Sequence, residues 1–244
     1  MIPNNLPPPE ILLERGAVLV LNKPGGLLTQ GPPGIDSLEW RTKAYLKTRE
    51  SKPGNVYLGV PHRLDRPVSG VLVMVKNVRA AQRISQQLQD RSVNKTYWAV
   101  VEGRITDDAG TMTDTMRKLP DEPKSAIVSP DHPDAKTAIL HYSVLGRGDQ
   151  LTWLEIELET GRTHQIRLQC SARGFPIVGD TMYGATTLFG APTLDQRKRW
   201  IALHARRLSF EHPIDHEPVD VTAHLTDLWR QFSEFENGLF FSTD

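Results

Sequence analysis

The amino-acid sequence predicts an α+β protein built on a mixed, largely antiparallel sheet with flanking helices. Runs of residues typical of strands follow one another at hairpin spacing and outnumber the helical runs. The two kinds of run do not alternate strictly, as the crossovers of a parallel sheet would require. There is also no Walker loop, and no G-x-G-x-x-G motif follows a predicted strand. These patterns disfavour a doubly wound nucleotide-binding fold.

Short strands and two helices are predicted in the first half of the chain. Ser37 is a residue type that caps a helix N-terminus, and valine, a strand former, is enriched over 71–76. Residues 78–89 carry apolar side chains three and four positions apart, which is typical of an amphipathic helix. In chain order we expect a strand over 16–21, a helix from Ser37 to about Arg49, strands over 56–60 and 71–76, a helix over 78–89 and a strand over 95–102.

A hairpin and a third helix are predicted in the second half. Over 151–159, leucine and isoleucine alternate with glutamate, a pattern typical of a half-buried strand. Gly174 is placed to end a helix that starts at Arg162. In chain order we expect strands over 137–145 and 151–159, a helix over 162–173, a strand over 219–222 and a helix over 226–235.

We expect a single domain over 1–244. Residues 1–15 begin with a proline-rich stretch and predict an extended leader, with none of the features of a signal peptide. Residues 105–136 are rich in Asp, Pro, Gly and Thr, which predicts a loop-rich insertion. Residues 214–244 form an acidic C-terminal segment.

The overall composition predicts a cytoplasmic protein without a membrane segment. Lys and Arg number 29, Asp and Glu number 29, and the pI is about 7.1, a balance that taken alone argues against a nucleic-acid partner. The single cysteine, Cys170, excludes an intramolecular disulfide. The apolar runs are far shorter than the roughly 18 residues that cross a bilayer.

The charges are nevertheless segregated along the chain. The net charge is +7 over 1–104, −6 over 105–160, +6 over 161–207 and −7 over 208–244. Arginine outnumbers lysine 19 to 10, and arginine favours bidentate contacts with phosphate. The two positive segments predict one polyanion-binding surface if the fold brings them together. The alternative is that they form separate solvated faces.

Four segments at the ends of predicted strands are dense in Arg, His, Gly and Asp: 22–27 (NKPGGL), 62–70 (HRLDRPVSG), 160–167 (TGRTHQIR) and 179–184 (GDTMYG). In the second segment, Asp65 is flanked by Arg63 and Arg66. Neighbouring cations hold a carboxylate ionised, and such a carboxylate can act as a nucleophile or a base. An ordinary surface ion-pair network is the alternative.

The third segment is predicted to attract an anion. Free N–H groups at the helix N-terminus and the side chains of 162–167 would suit a phosphate or the Asp65 carboxylate. Taken singly, His62 and His164 are more typical of hydrogen-bonded structural histidines, and Asn22 and Lys23 of a plain turn after a strand.

Together these motifs resemble those of the RluA-type family of pseudouridine synthases. The stretch HRLDRPVSGVLVMVK at 62–76 follows NKPGGL and precedes GRTHQIR and GFPIVGDTMYG. The four motifs occur in the family's order and at its approximate spacing. The resemblance extends from about Gly16 to Pro213, including LHARRLSFEHP at 203–213. It implies the pseudouridine synthase catalytic fold, without the small RNA-binding module that precedes it in many relatives.

The resemblance implies a role for each matching residue. Asp65 matches the essential aspartate, the proposed nucleophile in cleaving the uridine N-glycosidic bond, whether it attacks the uracil ring or the ribose. Tyr97 matches the tyrosine that stacks on uracil and serves proton abstraction, and Arg167 the basic residue that pairs with the aspartate. Ile166 matches an aliphatic residue beneath the base, and Arg63 the arginine that occupies the gap left by the extruded base.

The implied activity is isomerisation of one uridine in structured RNA, a stem-loop of rRNA or tRNA, through base flipping. A monomer is expected, with no DNA partner, and no cofactor or metal because the uracil is detached, rotated and rejoined. The remaining candidate substrate contacts are Arg66, Arg162, His164, His62, Asn22 and Lys23. One departure from the family pattern is Val68 in place of the usual Thr, and because Val is also β-branched we expect the local packing to survive.

Two other functions compete with this one. A catalytically silent RNA-binding relative that acts as an RNA-folding factor is the first, and the intact Asp65, Tyr97 and Arg167 set argues against it. A metal-dependent hydrolase using His62, Asp65, His164 and Asp180 is the second. The spacing of those four matches no metal-ligand motif, and arginines beside Asp65 repel a cation.

Overall fold

The computed structural model describes residues 6–51, 53–232 and 235. Within them lie ten β-strands, three α-helices and three short 3₁₀ helices, and strand pairing is largely antiparallel, which confirms the predicted α+β class. None of the helices in this part of the chain has the length and apolar character to cross a membrane.

The elements have the following bounds. The strands are β1 (Glu10–Arg15), β2 (Val18–Lys23), β3 (Ser69–Val75), β4 (Asn94–Glu102), β5 (Ala109–Lys118), β6 (Ser125–Ile127), β7 (Lys136–Arg147), β8 (Leu151–Leu158), β9 (Leu203–Glu211) and β10 (Pro218–Thr222). The α-helices are α1 (Leu38–Arg49), α2 (Val78–Gln89) and α3 (Gln165–Ala172). The 3₁₀ helices are Thr181–Tyr183, Gln196–Lys198 and Asp227–Phe232.

The chain forms two compact units. The first contains the described residues up to Lys95 together with Asp195–Lys198 and Ala205–His224. The second contains Thr96–Leu194, Arg199–His204 and the described residues from Leu225 onward. Neither unit is one continuous stretch of chain, and the single domain expected over 1–244 stays a prediction.

In the first unit, β2 and β3 form the buried centre. Every residue of both strands is buried, as expected of valine- and leucine-rich runs covered on both faces. β2 pairs antiparallel with β1 and β3, β9 lies beside β3, and β10 pairs antiparallel with β9.

Side-chain caps set the starts of the two helices in this unit. The Ser37 hydroxyl accepts a hydrogen bond from the Trp40 backbone N–H at 3.2 Å, and Asn77 Oδ1 accepts one from Ala80 at 2.8 Å. Each cap satisfies a backbone donor that the first turn of a helix leaves unpaired. α2 then buries Ala80 and Ile84, in agreement with the periodicity of its sequence.

The second unit is built on five antiparallel strands in the order β4-β8-β7-β5-β6. Tyr97 of β4 lies opposite Ile156 of β8. Beyond the sheet, the 3₁₀ helix Asp227–Phe232 contributes Trp229 and Phe232 to an aromatic cluster with Phe189. These large side chains are at most 5% exposed and supply much of the apolar burial of this part of the unit.

Besides β5 and β6, which lie in the expected loop-rich insertion, the structure contains two strands that sequence patterning does not predict. β1 lies within the expected leader. β9 lies in a stretch that matches the family's sequence but shows no strand pattern. In β9 the pair Arg206 and Arg207 interrupts the apolar pattern, so no strand period is visible. Conversely, 56–60 is not a strand, and it contributes only an isolated bridge between Gly59 and Val75 within the described residues.

Three other predictions need correction. The expected insertion 105–136 contains β5, which pairs with β7 along eight residues and buries Met112 and Met116, so it is part of the sheet. α3 begins at Gln165 and not at Arg162. The expected helix over 226–235 is a 3₁₀ helix over Asp227–Phe232, and its residues 233 and 234, like 236–244 of the acidic segment, lie outside the described residues.

Gly70 is required where β3 passes β9. Its φ is +115°, a conformation that other residues rarely adopt, and a Cβ atom built on it would lie 2.2 Å from the Ala205 carbonyl oxygen. A backbone atom cannot move aside as a flexible side chain could. The close approach of the two strands therefore depends on the absence of a side chain at this position.

We expect Gly70→Ala to lower the free energy of unfolding by roughly 3 kcal/mol or more, because backbone strain and overpacking act together. Gly34→Ala is the matched control, since Gly34 also has a positive φ, +82°, but no atom lies within 4 Å of its added Cβ. That control should cost only about 1 kcal/mol. Urea denaturation of the three proteins measures both values, and equal losses would contradict the steric explanation.

Candidate functional site

Asp65 lies in a tight turn directly before a buried strand of the first unit. The Val68 backbone N–H donates to the Asp65 carbonyl oxygen at 3.1 Å, which closes the turn, and β3 starts at Ser69. Val68 is 3% exposed, so the β-branched side chain that replaces the family's usual Thr is buried. Asp65 itself is partly buried. We call residues 62–70 the aspartate turn.

Thr29 fixes the residue that precedes the aspartate. Its hydroxyl donates to the Leu64 carbonyl oxygen at 2.8 Å and accepts from the Leu64 N–H at 3.1 Å. Thr29 is 2% exposed, so water does not compete for these bonds. Both backbone groups of Leu64 are thereby satisfied by one side chain 35 residues away.

Lys23 is buried beneath the same turn. Its ammonium group donates to the carbonyl oxygens of Leu27 at 2.7 Å, Pro24 at 2.9 Å and Arg66 at 3.2 Å. Burial lowers the pKa of Lys23 to about 7, and the negative charge of Asp65 acts in the opposite direction. Lys23 was expected to contact substrate. Because it is 0% exposed and bonded to three carbonyls, we instead assign it a structural role that joins 22–27 to the aspartate turn.

His62 and Asn22 are likewise engaged within the first unit. The Val73 N–H donates to His62 Nε2 at 3.0 Å, and burial, with a smaller effect of Lys95, lowers the pKa of His62 to about 4. His62 is therefore neutral at pH 7. Asn22 is 5% exposed and donates through Nδ2 to Glu10 at 3.2 Å. These contacts give both residues structural roles in place of the expected substrate contacts.

Arg63 and Arg66 differ from these neighbours. Arg63 is exposed and Arg66 is partly buried. Within the described part of the chain, neither guanidinium forms an ion pair with a carboxylate at 4.0 Å or less. A guanidinium without such an ion pair is suited to an external anion such as a phosphate.

In the second unit, Tyr97 and Ile166 are candidate contacts for a base. Tyr97 belongs to β4 and is 9% exposed, while Ile166 lies in the first turn of α3 and is 4% exposed. An aromatic ring and an aliphatic side chain of this kind offer the apolar surfaces on which a nucleobase packs.

Arg167 is held in a group of side chains that we call the arginine cluster: Arg167, Asp180, Tyr183 and His164. Arg167 donates through Nε to Asp180 Oδ2 at 2.6 Å and through Nη2 to Oδ1 at 2.8 Å. The two side chains are 4% and 2% exposed. The Tyr183 ring lies under the guanidinium, 5.1 Å from ring centroid to Cζ. Arg167 thus carries a buried positive charge in a defined geometry.

His164 and Arg162 lie in the turn before α3. His164 has a φ of 56°, and its Nδ1 is 2.9 Å from the Tyr183 hydroxyl. Arg162 precedes the helix, and its Nε donates to the Thr137 carbonyl oxygen at 2.9 Å. The Gln165 side chain closes this turn by accepting from the Arg162 N–H at 3.0 Å. The predicted helix N-terminus at Arg162 is therefore wrong, and the two side chains belong to a capped turn.

No group of three or more His, Cys, Asp and Glu side chains within the described ranges is arranged to hold a metal ion. Asp180, one of the four residues considered for a metal site, is paired with Arg167.

Comparison with known proteins identifies the family. A family model described as RNA pseudouridylate synthase matches residues 17–172. An RNA pseudouridine synthase of Bacillus subtilis, YlyB, described as uncharacterized, is 36% identical over 220 residues, covering 89% of this chain and 69% of the relative. Ribosomal large subunit pseudouridine synthase D of Xanthomonas campestris is 36% identical over 224 residues, covering 88% and 66%. The chain belongs to the RNA pseudouridylate synthase family, as the motifs predicted.

Solved structures agree with this assignment at the level of the fold. Human RNA Pseudouridylate Synthase Domain Containing 4 superposes with a TM-score of 0.73 at 23% identity, covering 91% of this chain and 90% of that one. Human RNA Pseudouridylate Synthase Domain Containing 1 gives 0.70 at 27% identity, covering 93% and 89%. The predicted pseudouridine synthase fold is confirmed. The chain spans about two thirds of the length of the curated relatives named above.

Some residues that shape these clusters were not candidates. Thr29 carried no sequence signal, because nothing local marks a threonine that bonds a backbone 35 residues away. Tyr183 and Asp180 lie in the motif GDTMYG, in which the sequence suggests Asp180 only as a metal ligand and suggests no role for Tyr183. Their contacts with Arg167 join residues 13 and 16 positions apart, which residue spacing alone does not reveal.

The depressed pKa of His62 predicts loss of stability in acid. Since the unfolded state, with a pKa near 6.5, binds the proton more tightly than the folded state at about 4, stability is complete above pH 6.5 and falls as the pH drops towards 4. We expect this residue to account for about 1–3 kcal/mol of that loss.

Urea denaturation at pH 7 and pH 4.5 tests this. His62→Gln retains an acceptor for the Val73 N–H but cannot titrate, so its acid loss should be smaller than that of the wild type. His141→Gln, at an exposed position, should behave as the wild type does. An acid loss in His62→Gln as large as in the wild type would show that another group is responsible.

Proposed function

We propose that this protein isomerises a specific uridine to pseudouridine in structured RNA, with Asp65 as the nucleophile. The proposal rests on one observation. In this member of the family, the backbone of the aspartate turn, which carries the ionisable Asp65 carboxylate, is fixed by hydrogen bonds from Thr29 and Lys23. A nucleophile that forms a covalent bond must be held in one orientation, and buried bonds on both sides of Asp65 provide this.

The proposed reaction is balanced without a co-reactant. The Asp65 carboxylate forms a transient bond to the uridine, on the uracil ring or on the ribose, and the N1–C1′ bond breaks. The uracil rotates, a C5–C1′ bond forms, and the bond to Asp65 breaks, which regenerates the carboxylate. The proton on C5 leaves and N1 ends protonated. Tyr97 is assigned to stack on the uracil and to serve the removal of the C5 proton, and Ile166 to pack against the base. Arg167 is assigned to provide positive charge in the same reaction.

The substrate is proposed to be rRNA or tRNA. A uridine in a folded RNA is stacked, so it must be extruded at a cost of a few kcal/mol, which contacts to the RNA backbone offset. Arg63 and Arg66, which form no ion pair with a carboxylate among the described residues, are assigned to the RNA, with Arg63 entering the space vacated by the base. The large-subunit names of several relatives make rRNA the first RNA to test.

We expect Asp65→Asn to lower the rate of pseudouridine formation by at least about 10³-fold, because an amide cannot act as the nucleophile. Asp90→Asn, at an exposed helix end of the same unit, is the control and should retain full activity. Pseudouridine is mapped by sequencing of rRNA and tRNA transcripts treated with each protein.

Equal pseudouridine yields from the wild type and Asp65→Asn would refute the assignment of the nucleophile. If neither protein formed pseudouridine while both bound RNA and altered its folding, the silent RNA-binding function would be supported instead.

RNA binding is expected to weaken steeply with salt, because released counterions drive phosphate contacts. Arg63→Ala should reduce the slope of log K against log salt concentration by roughly one. Arg207→Ala is the control, since Arg207 is exposed but already ion-paired with Asp220, and it should leave the slope unchanged. Filter binding between 50 and 300 mM salt measures the slopes. An affinity that does not change with salt would contradict phosphate recognition.

A further inference from the structure

We propose that Asp180 and Tyr183 are positioning residues that hold the Arg167 guanidinium for the reaction, Asp180 by its edge and Tyr183 by its face. The inference rests on the proposed function, in which Arg167 provides positive charge. Neither the spacing of residues in the sequence nor the family match gives Asp180 or Tyr183 a role in positioning Arg167.

Asp180 restrains the edge of the guanidinium. Two parallel bonds, from Nε at 2.6 Å and Nη2 at 2.8 Å, fix both the position and the plane of the group. The pair is at most 4% exposed, so water screens it little. A single bond would leave the plane free to rotate, whereas the bidentate pair does not.

Tyr183 restrains the face of the same group. Its ring lies 5.1 Å from the Arg167 Cζ atom, within the range of a cation–π contact. The ring cannot easily move away, because the Ser125 N–H donates to the hydroxyl at 3.0 Å and His164 Nδ1 lies 2.9 Å from it. The hydroxyl can therefore accept from one partner and donate to the other.

Both restraining residues belong to one rigid turn. The Tyr183 N–H donates to the Asp180 carbonyl at 3.0 Å, and the Ala185 N–H donates to the same oxygen at 3.1 Å. Gly179, just before the turn, has a φ of +88°, and a Cβ there would lie 2.6 Å from the Trp200 carbonyl oxygen. The turn that presents Asp180 and Tyr183 is therefore itself closely fitted to its surroundings, which suits a role in positioning.

The proposal predicts a specific kinetic pattern. Asp180 and Tyr183 act on the reaction only through Arg167, so their loss should lower kcat for pseudouridine formation and leave KM nearly unchanged. We expect Asp180→Asn to reduce kcat about 10- to 100-fold, with KM within about twofold of the wild type. Tyr183→Leu, which removes the ring, should cost more than Tyr183→Phe, which keeps the ring and loses only the hydroxyl.

A double-mutant cycle separates positioning from general structural damage. In an Arg167→Met background, Asp180→Asn should cause little further loss of kcat, because the group that it positions is already absent. Asp114→Asn is the matched control, since Asp114 also forms an Arg–Asp pair in the second unit, with Arg173 at 2.8 Å, and it should leave kcat unchanged. An equal kcat loss from Asp180→Asn in both backgrounds, or no loss in the wild-type background, would overturn the proposal.

A second measurement needs no activity. Asp180→Asn removes a negative charge from beside a buried guanidinium and can lower stability. The Arg167→Met, Asp180→Asn double variant also removes the positive charge, and its thermal midpoint shows whether the fold survives. In the NMR spectrum of the wild type, the Arg167 Nε–H signal should be protected from exchange with water. The protection should persist in Asp114→Asn and decrease at least tenfold in Tyr183→Leu.

The outcomes distinguish the two proposals. If the wild-type protein forms no pseudouridine in rRNA or tRNA, but its Arg167 signal is protected and this protection depends on Tyr183, the proposed function is refuted. The proposal that Arg167 is held in position then still stands. If the wild-type protein is active but its Arg167 Nε–H exchanges freely with water, the proposal that Arg167 is held in position is refuted. The proposed function then still stands.

Discussion

The buried ammonium group of Lys23 is the interaction on which the first unit's chemistry depends. It donates to the carbonyl oxygen of Leu27, four residues further along the chain, and to that of Arg66, 43 residues further along, and so joins the turn after β2 to the aspartate turn. Two short loops that would be mobile in isolation thereby share one rigid support. Thr29 adds a second link at Leu64, so the backbone on each side of Asp65 is tied to the same preceding segment. Orientation of the carboxylate follows from these buried bonds.

In the second unit a charged group is also held in one orientation, but by contacts with the side chain itself. Arg167 is a side chain with several rotatable bonds, and a backbone support alone would not fix its guanidinium. Asp180 and Tyr183 restrain the group directly, and the entropy of ordering it is lost once, during folding. Both units thus use buried polar contacts, satisfied by defined partners, to hold a charged group that a purely apolar core could not orient.

Local patterns in the sequence predicted what depends on local interactions. The periodicity of α2, the cap at Ser37, the β7–β8 pair and the Asp65 turn were all visible, because each is determined within about twenty residues. Strand β9 was missed because Arg206 and Arg207 interrupt its apolar pattern. The burial of Lys23 was missed because a lysine after a strand is normally exposed. The pairing of a buried charged side chain with its partner is determined by the tertiary structure, so it cannot be derived from the composition.

The position of β9 in the chain has a consequence for biosynthesis. β3 ends at Val75, yet β9, which lies beside it, begins only at Leu203. During translation, the edge of β3 that β9 will cover is therefore made long before its neighbour emerges from the ribosome. Contacts so distant in sequence close slowly, and a strand edge left open meanwhile is prone to wrong pairing. The first unit can be completed only after β9 and β10 have been synthesised, so its nascent form exposes an unpaired strand edge until then.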